Sequence, residues 1–156
     1  MSSVQLTLTA DDARLKANLR GLMALHGTGY QLAKEQIGVF MVGQIHDRFQ
    51  DQKLVDGKAM PQSKAAAARS GQTLVAGGHL RDSYSYAVIK GVFKGGVELS
   101  SGKKYAAIHH FGGMTGRGRK TKIEARPVLG INDTDLKGIG RILVNNITAS
   151  VNARGL

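Results

Sequence analysis

The sequence YAAIHHFGG at residues 105–113 leads an apolar run into a double glycine, and IEARPVLG follows at residues 123–130. The first run predicts a short helix, Tyr105 to Phe111, with Ile108 and Phe111 on its buried side. The second run, extended to Ile131, predicts a strand. The loop between them, residues 112–122, is rich in glycine and contains Arg117, Arg119, Lys120 and Lys122. It predicts a flexible, positively charged projection.

Long helices are predicted on both sides of this region. The first runs from Tyr30 to Phe49, with apolar residues near one side at Leu32, Ala33, Ile37, Phe40, Met41 and Ile45. The last follows the capping sequence Asn132-Asp133-Thr134, and its apolar stripe is Leu136, Ile139, Leu143, Ile147 and Val151. Alternation and glycines between Leu80 and Leu99 predict two or three short strands. A strand at residues 4–8 and a helix at residues 15–23 are predicted near the N-terminus.

The segment from Gln50 to Gly78, called the arm below, has no sustained periodicity. Asp56-Gly57 is a turn signal, and Ser63 before Lys64 and four alanines predicts a short helix that ends near Ser70-Gly71. The remaining residues have too little apolar surface for a core of their own. Both a long ordered arm and a mobile loop fit such a segment. We expect it, like the basic loop, to be mobile in a monomer and ordered after assembly.

Composition limits the class of protein. The 156 residues fit a single domain, 1–156, and the absence of cysteine excludes disulfides and thiolate metal sites. The N-terminus resembles no signal peptide and no apolar stretch is long enough to span a bilayer, so we expect synthesis in the cytosol and no membrane partner. The 22 Lys and Arg against 11 Asp and Glu give a net charge of +11, which favours contact with polyanions.

The residue types that enzymes use occur without a catalytic pattern. His79, His109 and His110 lack an acidic pair at ligand spacing, so a metal site is not expected. His79, Asp82 and Ser83 include the residue types of a catalytic triad, but proximity in sequence does not assemble one. The glycine-rich loop lacks the Gly-Lys-Ser/Thr ending of a phosphate-binding loop. We therefore expect neither enzymatic activity nor a cofactor.

A series of short motifs, taken in order, gives a more specific result. Phe49, Asp56-Gly57, GHLRDS at residues 78–83, YAAIHHFG at residues 105–112 and ARPVLG at residues 125–130 occur in turn. In this order the sequence resembles the virion morphogenesis, or tail completion, family of Mu-like and related tailed phages. The resemblance covers about residues 40–133. The sequence departs from it at Met60, where the family often has a tryptophan, and at Ala76-Gly77.

The resemblance implies a fold and a role. The fold is α+β, an antiparallel sheet of about four strands with the long helix and the C-terminal helix on one face. The role is structural, in a ring of about six copies at the head–tail junction, or neck, of the virion, with neck, connector and tail-tube proteins as partners. The family motif residues are Leu80, Ser83, Tyr105, His109, Phe111, Gly112, Arg126 and Pro127. The resemblance does not separate a tail terminator from a head-completion protein or connector.

The positive charge suggests which residues make contacts in assembly. Candidates for a subunit contact or a non-specific contact with packaged DNA are Lys103, Lys104, Arg117, Arg119, Lys120 and Lys122. The alternative is that these are solvated charges without a partner. A second hypothesis, which depends on charge alone, is a small bacterial nucleic-acid-binding protein. Few aromatic residues and no tryptophan are available to stack on bases.

Overall fold

The computed structural model describes residues 30–90 and 95–153. Its elements are α1 (Tyr30–Gln50), α2 (Lys64–Ala68), β1 (Tyr84–Ile89), β2 (Gly96–Ser101), α3 (Ala106–Phe111), β3 (Gly113–Thr115), β4 (Thr121–Ile123) and α4 (Asp133–Asn152). Turns of 3₁₀ helix precede β1 at Arg81–Ser83 and join β3 to β4 at Arg117–Arg119. The α+β class is confirmed. The predicted strand at residues 4–8 and helix at residues 15–23 lie outside the described residues.

The four described strands form two separate antiparallel pairs. Strand β1 pairs with β2, so that Tyr84 lies opposite Ser101, and β3 pairs with β4, so that Gly113 lies opposite Ile123. The predicted strand from Ile123 to Ile131 is therefore wrong beyond its first residue. Beyond Ile123 the N–H of Arg126 donates to the His109 carbonyl at 2.7 Å rather than to a strand, and Pro127 has no N–H for a ladder.

Helix α1 confirms the long helix predicted from Tyr30, and it supplies much of the core. Ile45 and Phe49 are fully buried and pack in one cluster with Met60, Leu80, Tyr84 and Val128. The predicted apolar face is only partly correct, since Leu32 is 53% exposed. Two cations are buried on the helix instead, and the ammonium of Lys34 donates to the Ile89 carbonyl at 3.0 Å. The two buried cations, Lys34 and Arg48, thus widen the buried side of α1.

Two glycines allow α1 to approach its neighbours closely. A Cβ atom on Gly38 would overlap the ring of Tyr86 on β1, and a Cβ on Gly138 of α4 would overlap the ring of Phe40. Both glycines are buried. Each glycine lets an aromatic ring lie against the helix backbone. Glycine interrupts the apolar pattern at both positions, and this makes the contacts hard to predict from periodicity.

Helix α4 begins at the predicted cap. The side chain of Asn132 accepts from the N–H of Asp135, and the carboxylate of Asp135 accepts from the N–H of Asn132, which completes a capping box. The predicted stripe is wrong at Leu136, which is 57% exposed, and its other residues are half-buried. The buried side contains Gly138 and Asn146, whose amide donates to Gln36 on α1 at 2.8 Å. The main neighbour of α4 is α1, which in turn packs on β1 and β2.

The arm is ordered and folds against the core. The predicted Asp56-Gly57 turn is present, closed by a hydrogen bond of 2.8 Å from the N–H of Leu54 to the Lys58 carbonyl. Ser63 caps α2 as predicted. Met60 is buried in the main core, so the arm does not need a core of its own.

Polar groups complete the attachment of the arm. The amide side chain of Gln52 bonds both backbone groups of Thr73, which is almost fully buried. Val55 donates its N–H to the Pro127 carbonyl at 2.9 Å, and its own carbonyl accepts from the side chain of Asn132 at 3.0 Å. These bonds attach the arm to the rest of the fold, and its mobility in a monomer stays a prediction. The hydrogen bonds add to the apolar contacts of Leu54, Met60 and Leu74 with the core.

Candidate assembly interface

The four cations of the predicted loop lie on a short β-hairpin, formed by β3, the 3₁₀ turn and β4 and called the hairpin below. All four side chains are exposed, and none of them forms an ion pair with another described residue. The turn contains Gly116 at φ 79°, Gly118 at φ 69° and Arg119 at φ 52°. The loop therefore has a defined turn between two paired strands, and its flexibility stays a prediction. Glycines accept this left-handed backbone without strain.

The hairpin begins at a position that only glycine fills well. Gly112 has φ 71°, and a Cβ atom there would lie 2.8 Å from the N atom of Ala125 and 3.0 Å from the O atom of Ile123. Both atoms belong to the backbone, which cannot rotate away as a side chain can. The last glycine of the YAAIHHFG motif therefore brings the end of α3 against the chain that leaves β4.

Apolar side chains are exposed at the start of the hairpin. Phe111 is 78% exposed, which contradicts its predicted burial, and Met114 on β3 is exposed as well. The ring of Phe111 makes an edge contact with that of His110 at a centroid distance of 4.6 Å. Ile108 is half-buried. A helix of six residues is too short for its spacing to fix which side is buried.

Two of the family motif residues, Leu80 and Ser83, lie directly before β1 and contact other parts of the fold. Leu80 is buried in the main core. The hydroxyl of Ser83 donates to the Leu80 carbonyl at 2.7 Å and lies 2.7 Å from the hydroxyl of Ser101 at the end of β2. The GHLRDS sequence thus fixes the entry to β1 against the exit from β2.

Arg126 is buried and connects three parts of the chain. Its Nε donates to the Pro61 carbonyl of the arm at 2.8 Å, and its Nη1 donates to the Glu124 carbonyl at 3.0 Å. Its Nη2 lies 3.3 Å from the carboxylate of Glu124. With the backbone bond to His109, these contacts hold the arm, α3 and the end of β4 together.

An open groove of about 940 Å³ lies between the arm and the hairpin, and we call it the basic groove. Of the predicted contact residues, Lys120 and Lys122 line it, whereas Lys103, Lys104, Arg117 and Arg119 do not. Lys103 and Lys104 are exposed just before α3, where Tyr105 and His109 also line the groove. Lys64 and Arg69 of the arm also line the groove, and neither was predicted as a contact residue. Only the fold brings them to the hairpin.

The two histidines of α3 are partly desolvated. Burial lowers the pKa of His109, the nearby Arg126 guanidinium lowers it further, and burial lowers the pKa of His110. The Nδ1 atom of each ring is buried without a hydrogen-bond partner among the described residues. Within residues 30–90 and 95–153, no group of three or more metal-binding side chains is present. Burial therefore favours the neutral form of both imidazoles.

The amino-acid sequence matches one known protein family. A model of the phage virion morphogenesis family matches residues 10–148, which is most of the chain. The chain belongs to the phage virion morphogenesis family. The matched range includes every motif on which the resemblance depended, from Phe49 to the ARPVLG sequence.

Membership of the phage virion morphogenesis family gives the protein a structural or assembly role in a phage virion. Searches of curated proteins and of solved structures return no match. In the part of the chain that the structure describes, no helix has the length and apolarity to cross a membrane.

Proposed function

We propose that the protein acts at the head–tail junction of the virion, where it forms a closed ring that completes the tail and joins it to the head. The observation that carries the proposal is the hairpin, which follows Gly112 and presents Met114 and four unpaired cations to solvent, with Phe111 of α3 exposed just before it. Apolar and charged side chains placed together on one projection are typical of a protein interface.

A ring requires two different surfaces on each subunit that fit each other and close after a fixed rotation. The hairpin supplies one such surface. We propose about six copies for the ring. Its further partners are the neck or connector proteins and the end of the tail tube, and its cations make at most non-specific contact with packaged DNA.

The test combines assembly with complementation. Replacing Arg117, Arg119, Lys120 and Lys122 by serine should leave the fold intact, because exposed charges contribute little to stability. The variant should form fewer rings in negative-stain images, and heads and tails should accumulate unjoined when it replaces the wild-type gene. Normal phage yield from the folded variant would remove the hairpin from the proposed function.

Salt-dependent DNA binding distinguishes this role from a nucleic-acid-binding protein. Tight binding by a monomer, with a steep loss of affinity as salt rises, would favour the second hypothesis. Weak binding together with ring formation favours the junction. We also propose that the protein is not an enzyme. Its assembly role requires no catalytic turnover.

A further inference from the structure

The basic groove has an apolar interior and a cationic edge. Its less exposed lining residues include Leu74, Leu80 and Ile123, and its exposed lining residues include Lys64, Lys120 and Lys122. A lining of this kind fits a ligand that has apolar groups on one side and negative charge on the other.

The charges of the basic groove are not balanced within the described chain. Glu124 is the one carboxylate among its lining residues, and it already pairs with the buried guanidinium of Arg126 at 3.3 Å. Lys64, Lys120 and Lys122 form no ion pair with any described residue. Bringing a carboxylate to this edge would therefore relieve repulsion between like charges.

A second copy of this chain is a poor source of that carboxylate. Each copy carries a net charge of +11. Most described carboxylates already bond within their own chain, namely Glu35, Asp47, Asp51, Asp56, Asp82, Glu124 and Asp135. A different molecule is therefore the better source of the negative charge.

Nucleic acid fits the basic groove less well than a peptide. Binding of single strands depends on aromatic rings that stack on the bases, and Tyr105 is the one Phe, Tyr or Trp among the lining residues. A phosphate backbone also offers no apolar group for Leu74 and Ile123 to contact. An extended peptide places successive side chains on opposite faces, so apolar and acidic residues that alternate would meet both parts of the lining.

We propose that the basic groove binds an extended peptide segment of a neighbouring virion protein in which apolar and acidic side chains alternate. The apolar side chains contact Leu74, Tyr105 and Ile123, and the carboxylates pair with Lys64, Lys120 and Lys122. The virion origin of the peptide rests on the proposed function, whereas the chemistry of the groove does not.

The test uses fluorescence anisotropy with a labelled peptide of about twelve residues in which Asp and Val alternate, long enough to span the groove at roughly 3.3 Å per residue. Two comparison peptides replace either every Asp or every Val by Ser, and a single-stranded oligonucleotide of equal charge is the nucleic-acid control. We expect saturable binding of the Asp-Val peptide and at least about tenfold weaker binding of both Ser peptides.

Two charge-matched variants locate the site. Lys64→Ser, Lys120→Ser and Lys122→Ser together should weaken binding of the Asp-Val peptide by about tenfold or more. The triple variant Lys53→Ser, Lys90→Ser and Lys137→Ser removes equal charge from exposed positions outside the groove and should change binding by less than about twofold. Tyr105→Ser tests the apolar contact, and backbone amide shifts at Leu74 and Ile123 should follow the titration.

Several outcomes would overturn the inference. They are no binding by the folded wild type, equal loss in both triple variants, or binding of the oligonucleotide more tightly than the Asp-Val peptide. Ring formation is measured separately by negative stain. Peptide binding without ring formation would support the inference about the groove and contradict the proposed ring. Ring formation without peptide binding would support the ring and contradict the inference about the groove.

Discussion

Arg48 near the end of α1 and Asp135 in the first turn of α4 form an ion pair in which both side chains are almost completely buried. The same guanidinium donates to the carbonyls of Val128 at 2.6 Å and Gly130 at 3.1 Å. The carboxylate oxygen of Asp135 that pairs with Arg48 also accepts from the N–H of Asn132 at 2.8 Å. This ion pair and its three hydrogen bonds therefore join α1, the chain after Pro127 and the cap of α4.

Removing the charge of Asp135 should destabilise the fold strongly. Asp135→Asn leaves a buried guanidinium without its counter-ion and weakens the capping box, so we expect a loss of about 3–5 kcal/mol in the free energy of unfolding. Urea denaturation measures it. Asp133→Asn in the same helical turn is the control, since Asp133 is exposed, and it should change stability by less than about 0.5 kcal/mol. Equal losses in the two variants would contradict the assignment.

The two glycines of α1 make a matched pair. Gly38→Ala pushes a methyl group into the ring of Tyr86, and we expect a net loss of about 1–3 kcal/mol. Gly43→Ala meets nothing within 4 Å and should stabilise the helix by about 0.5–1 kcal/mol. Thermal melting of both variants measures the difference. A stabilised Gly38→Ala variant would show that α1 does not rest on β1 as closely as described.

The histidines of α3 predict a dependence of stability on pH. Burial lowers the pKa of His109 and His110, so the folded state favours the neutral rings. Their contribution is complete above the ordinary histidine pKa of about 6.5 and is lost as pH falls through the lowered pKa. The urea midpoint should therefore fall between about pH 7 and pH 5. His109→Gln with His110→Gln should flatten that decline, and an unchanged slope would assign it to other groups.

Arg126 should not tolerate replacement by lysine. A lysine has one ammonium group and cannot bond the Pro61 carbonyl and the Glu124 carbonyl in the same fixed geometry. We expect Arg126→Lys to lose about 1–3 kcal/mol of stability, because buried acceptors lose a partner. Arg141→Lys on the exposed side of α4 is the control and should lose less than about 0.5 kcal/mol. Urea denaturation compares the two.

Local features were predictable from the sequence because they depend on neighbours in the chain. Helix α1, the Ser63 and Asn132 caps, and strands β1 and β2 follow from spacing and from short-range hydrogen bonds. Phe111 was misplaced because six residues do not contain enough turns to define a face. Buried cations on α1 were missed because charged residues at helical spacing usually indicate a solvated side.

Features that depend on distant parts of the chain could not be predicted. Arg48 and Asp135 are 87 residues apart, and Arg126 and Pro61 are 65 apart. Nothing in either local sequence marks the other as a partner. The same holds for the basic groove, which both Lys64 and Lys122 line because the arm folds back toward the hairpin.

The exposed ring of Phe111 and the unpaired cations of the hairpin should affect different steps of binding. The cations should affect the association rate, and Phe111 the lifetime of the bound state. Charges attract an acidic partner over a Debye length, about 10 Å at 0.1 M ionic strength, whereas an apolar ring contributes only once water has left the contact. Rising salt should therefore slow the encounter of the protein with such a partner much more than it shortens the lifetime of the joined state. If the protein acts at the head–tail junction as proposed, heads and tails mixed at high ionic strength should join late and, once joined, stay together.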